Sequence, residues 1–150
     1  MNANYRTGTL VIVALVLCLP AAAEGEDLGD SLRPERIDSV RINLNPGGAE
    51  IGFEAEFDGD DPRLEPLAAV IRGAAPGGGH KCPNAGAIRF WMNDGTVIGI
   101  GLLPSHTPGR YEFRLYDGDR YLEAYIVERK SLLAALEGLG IPTDDPAFRE

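Results

Sequence analysis

From Ile37 to Phe57 the chain alternates between apolar and polar residues. Val40, Ile42 and Leu44 interleave with Ser39, Arg41 and Asn43; beyond Asn45-Pro46-Gly47-Gly48, Ile51, Phe53, Ala55 and Phe57 interleave with Gly52, Glu54 and Glu56. A period of two around a Pro-Gly turn predicts a hairpin with one buried face. With Leu44 set against Ala49, Ile42 faces Ile51 and Val40 faces Phe53.

The period then changes. Leu64, Leu67, Ala68 and Ile71 fall at i, i+3, i+4 and i+7, one face of a helix. Pro66 fits only the first turn. The helix is therefore predicted to start between Arg63 and Glu65 and to end at Gly73. Ala74 to Gly86 is rich in Gly and Pro and reads as a loop.

Alternation resumes at Ile88, Phe90 and Met92. Asp94-Gly95 predicts a second hairpin, with Thr96 to Leu103 as the return strand. Pairing Asn93 with Thr96 puts Gly99 opposite Phe90 and Gly101 opposite Ile88. Trp91, Arg89, Ile98, Ile100 and Leu102 then share the other face. Tyr111, Phe113 and Leu115 begin a third hairpin about Asp117-Gly118. A four-residue loop over 117–120 sets Arg114 against Glu123, Leu115 against Leu122 and Phe113 against Ala124. That register avoids two opposed glutamates.

Lys130 to Leu139 is the second helix, with a Leu132, Ala135, Leu136 and Leu139 stripe. Gly140 suits the left-handed C′ position, and Ile141 folds back on Leu136. The order ββ-α-ββββ-α predicts an α+β two-layer sandwich. About six antiparallel strands carry both helices on the face of Phe90, Met92, Phe113 and Leu115.

The N-terminus has a different pattern. Arg6 precedes ten residues, Leu10 to Leu19, whose only polar group is the Cys18 thiol; Pro20 and Ala21-Ala22-Ala23 follow. This is the order of a secretory signal peptide, assigned to residues 1–23. The run is half the ~20 apolar residues of a membrane span. Leu17 argues against lipidation at Cys18, since a small residue normally precedes a lipidated cysteine. Residues 24–36 read as a flexible acidic leader, 37–142 as one domain and 143–150 as a tail. The expected location is periplasmic or extracellular.

Charge narrows the function. The chain carries 14 Lys and Arg against 23 Asp and Glu, a net charge of −9. Cleavage removes Arg6 and no acid, and lowers it to −10. Nucleic acid is excluded as a partner, because phosphates demand a basic patch. A basic protein partner is favoured by steering.

Four groups of residues bear on chemistry. Trp91, Tyr116, Tyr121 and Tyr125, alternating with Arg89, Arg114, Glu112 and Glu123, are placed on the face that the helices leave open. Aromatics and Arg are enriched at recognition surfaces. The leading expectation is an exported, non-catalytic, monomeric binding protein of the cell envelope that uses that face for a protein or a small ligand, as an inhibitor or protective partner of a basic secreted protein. The second group is His80, Cys82 and His106, soft donors in Gly/Pro-rich loops, which suit a metal or thiol site. Otherwise Cys82 is a buried thiol. The third reading is a small hydrolase with Cys82, or Ser105 beside His106, as nucleophile. No Gly-x-Ser-x-Gly elbow supports it. The acids Glu50, Glu54, Glu56, Asp58, Asp60 and Asp61 lack the order of a calcium loop and read as a solvated edge. No cofactor motif is present.

Overall fold

The computed structural model describes residues 28, 32–45, 52–78, 81–103, 106–145 and 148. The signal-peptide assignment, Cys18, Glu50, His80 and Ser105 lie outside them. The described residues form one antiparallel sheet and two helices: β1 (Ile37–Leu44), β2 (Phe53–Asp58), α1 (Leu64–Arg72), β3 (Ala75–Pro76), β4 (Gly86–Met92), β5 (Val97–Leu102), β6 (Arg110–Asp117), β7 (Arg120–Glu128) and α2 (Arg129–Gly138). The strand order is β2-β1-β4-β5-β6-β7-β3. The seventh strand, β3, is two residues long and lies in the segment expected to be loop.

Both helices cover the expected face. Phe90, Met92, Phe113 and Leu115 are buried on it, with Leu64, Leu67 and Ile71 of α1 and Leu132 and Leu136 of α2. Each such side chain contributes roughly 1.5–3 kcal/mol through burial. Helix α2 ends as its sequence requires. Gly140 has φ +77°, its N–H donates to Glu137 O, and the Ile141 N–H donates to Leu136 O, a Schellman closure. Leu32, in the expected leader, is fully buried, and its carbonyl accepts from Arg72 Nη1 at 2.7 Å. Phe148, in the expected tail, packs its ring 5.8 Å from that of Tyr111.

The hairpin registers differ from expectation, and each difference moves side chains. In the first hairpin Val40 faces Phe57, Ile42 faces Ala55 and Leu44 faces Phe53. The expected turn, with Ala49 and Ile51, lies outside the described residues; the shift is even, so Phe53, Ala55 and Phe57 keep the face expected of them. In the second, Trp91 pairs with Val97, Arg89 with Gly99 and Ile88 with Ile100. The turn is the three-residue Asn93-Asp94-Gly95, with Gly95 at φ +85°. The Asp94 carboxylate accepts from the Thr96 N–H at 2.9 Å, which lowers its pKa. This odd shift exchanges faces. Ile98, Ile100 and Leu102 join the core, and Gly99 and Gly101 move to the open face.

In the third hairpin Tyr116 faces Tyr121 as expected, but the register slips at Leu122, so that Leu115 faces Glu123, Arg114 faces Ala124 and Phe113 faces Tyr125. One extra residue on β7 is a bulge. It carries Tyr125 to the helix side, where its ring stacks on Phe113 with centroids 5.5 Å apart.

Candidate functional site

The topology forces a crossing. Strand β3 pairs with β7 at one edge, while β4 lies between β1 and β5. The connecting segment must pass β7, β6 and β5, and the helices occupy one face. It crosses on the other, as a strap. The Gly77 N–H donates to Ala124 O of β7 at 3.1 Å. Gly78, at φ +79°, lies so close to Glu112 of β6 that an added Cβ would stand 2.8 Å from Oε2. Arg114 of β6 donates from Nη2 to Cys82 O at 3.0 Å and from Nη1 to Asn84 Oδ1 at 3.3 Å. The Ala85 N–H donates to Leu102 O at 2.8 Å. The composition that marked 74–86 as loop is what lets backbone lie flat on a sheet.

The strap delivers Cys82 to His106. Sγ and Nε2 are 3.3 Å apart, hydrogen-bonding distance for sulfur. Cys82 is half-buried rather than enclosed, and His106 is exposed. Beneath the strap lies Glu112, only 5% exposed, whose Oε1 accepts from Thr107 Oγ1 at 3.3 Å. Thiol, imidazole, carboxylate and guanidinium thus gather on one half of the open face. Such a set can pass a proton between Sγ and Nε2, present a soft nucleophile, or ligate a soft ion. Among the described residues, no three or more His, Cys, Asp and Glu side chains converge on one metal position.

The six residues expected to form a single recognition face are divided. Arg114 is half-buried and engaged with the strap. Tyr125 is on the helix side, but it shares a cleft of about 690 Å³ with Tyr116 and Tyr121, which Leu28, Met92, Ile98 and Leu115 also line. Tyr116 and Tyr121 touch edge to face, with centroids 6.0 Å apart. Arg89 is exposed and Trp91 half-buried on the uncovered half of the open face, with the Arg41 guanidinium 5.5 Å from the Trp91 ring centre. Of the acids, Glu54, Glu56 and Asp58 are exposed along edge strand β2, and Asp61 is engaged by Arg63 at 2.6 Å.

Sequence reasoning placed Glu112 on the open face without foreseeing its burial under the strap, and it missed Thr107 and Asn84. Glu112 carried one signal, a carboxylate between Tyr111 and Phe113 in the middle of a strand. Nothing in the sequence marks the other two.

Comparison of the chain with protein families, curated proteins and solved structures finds no match.

Proposed function

We propose that this chain is an exported protein that works through a thiol–imidazole pair, Cys82 and His106. The 3.3 Å approach of Sγ to Nε2 carries the proposal. An imidazole at that distance takes the thiol proton as sulfur attacks an electrophile or ligates a cation. Export is supported by the signal-like order of residues 1–23. No helix among the described residues is long and apolar enough to cross a membrane. The chain has two cysteines, Cys18 and Cys82. Signal cleavage leaves Cys82 alone, so its covalent chemistry is with another molecule.

One observation favours a second reading, ligation of zinc or a similar ion. Zinc bonded to one thiolate at ~2.3 Å and one imidazole at ~2.0–2.1 Å sets the donors roughly 3.5 Å apart at the tetrahedral angle. The observed separation is close to that, and His80, two residues before Cys82, is the third donor proposed.

Alkylation of the mature protein with iodoacetamide at neutral pH tests both readings. His106→Ala is expected to slow the reaction by about tenfold or more. Equal rates in the two proteins overturn the thiol reading. Zinc that protects the wild type and not His106→Ala supports ligation.

A further inference from the structure

The strap covers only part of the open face. On the rest, one ladder row runs Glu56, Arg41, Arg89, Gly99, Tyr116, Tyr121 across six strands. Arg41 and Arg89 are directly opposite one another on adjacent strands. Like charges in that position repel, and the arrangement stands out in a chain of net charge −9.

Arg41 is held in place from two sides. Nη2 meets Glu56 Oε2 at 3.1 Å, and the guanidinium rests against the Trp91 ring, a cation–π contact. Its Nε is buried and makes no hydrogen bond. Arg89 is exposed, and no carboxylate occupies its neighbouring ladder positions. Beyond it Gly99 contributes no side chain, and Tyr116 of β6 closes over it: Gly99 is buried, and a Cβ built there would stand 3.3 Å from Tyr116 Cβ and 3.9 Å from its Cγ. The row therefore offers an oriented guanidinium, a second beside it, and aromatic flanks at Trp91 and Tyr116.

We propose that this patch is a receptor for a small ligand bearing one oxyanion, a carboxylate or a phosphate group, held by Arg89 and Arg41. Guanidinium pairs match the planar geometry and charge of such groups. The ligand is small and singly anchored. Exposed Glu54, Glu56 and Asp58 on β2 border the patch, and together with the net charge they repel a polyanion. The proposal is independent of the thiol–imidazole reading and uses none of its residues.

The chain has a single Trp, and it touches Arg41, so its emission reports on this patch. The mature protein is titrated with sodium phosphate and, separately, with sodium acetate, at an ionic strength held constant with NaCl. Arginine Nε–H shifts are followed by NMR in the same samples. The expected result is a saturable change in Trp91 emission, with Arg89 and Arg41 shifts tracking it, and an affinity about tenfold weaker in Arg89→Gln, a loss of the size expected when one charge-assisted contact is removed. The arm that saturates identifies the group as phosphate or carboxylate. Arg89 is exposed, so the variant should melt with the wild type, which separates lost binding from lost fold. Neither anion saturating by either probe overturns the proposal, as does a response that NaCl alone reproduces or that Arg89→Gln leaves unchanged.

Discussion

The side chain of Asn84 occupies the space that a side chain at position 101 would need. A Cβ built on Gly101 would lie 2.5 Å from Asn84 Nδ2 and 2.8 Å from both Cγ and Oδ1. A strand glycine is thus the seat of the strap, and the same Asn84 amide accepts from Arg114. The candidate site is built on that contact, because residues 81–85 bring Cys82 to His106.

Gly101→Ala should therefore lift the strap at Asn84. Overpacking of this kind costs roughly 1–3 kcal/mol, to be read as a lower denaturant midpoint with faster amide exchange at Ala85. Asn84→Ala removes all three clashing atoms, so the double variant should regain most of the loss relative to Gly101→Ala alone. Additive single effects would show that the two positions are not coupled.

Trp91 and Phe90 are neighbours in sequence and lie on opposite faces of β4. Phe90 is fully buried under the helices, and Phe90→Ala should cost about 3–5 kcal/mol. Trp91 is half-buried on the face away from them. Trp91→Ala loses a cation–π contact and some packing, about 1 kcal/mol. Urea melts of the two variants provide the check. Similar losses in both would mean the sheet faces are assigned wrongly.

Tyr111 gives the fold a dependence on alkaline pH. It is fully buried against Phe148, and burial raises its hydroxyl well above the ordinary phenol pKa of 10.0. In the unfolded chain the phenol ionises near that ordinary value, while the folded chain holds it neutral. Its contribution is complete below pH ~10 and declines above it, by up to about 1.4 kcal/mol per pH unit until the folded pKa is reached. Tyr111→Phe should track the wild type below pH 9 and lose stability less steeply above pH 10. Parallel curves to pH 11 would contradict the shift.

Much of the architecture is legible in residue order alone. Local rules suffice for α1 and α2, because apolar spacing and caps act within one or two turns. The Gly140 closure and the assignment of Phe90, Met92, Phe113 and Leu115 to one buried face follow in the same way, since neighbours on the chain settle them. Register was less accessible. The three-residue turn at Asn93-Asp94-Gly95 and the bulge at Leu122 each shift pairing by one position. A shift of one changes the face of every residue beyond it, which is why Ile98 and Ile100 entered the core and Tyr125 left the open face.

The site lay furthest from what sequence alone determines. Cys82 and His106 are 24 positions apart, and periodicity says nothing about distances across loops. Their approach depends on β3 pairing with β7 while β4 inserts beside β1, a choice that sets the route of the chain over the sheet. Two glycines on that route, Gly78 and Gly101, read as loop and strand positions in the sequence. Only the packed chain makes them the clearance that backbone needs to lie against Glu112 and beneath Asn84. Local pattern determined which face of each strand avoids water; tertiary pairing decided which distant polar groups meet, because a contact between loops is set by the whole path of the chain between them.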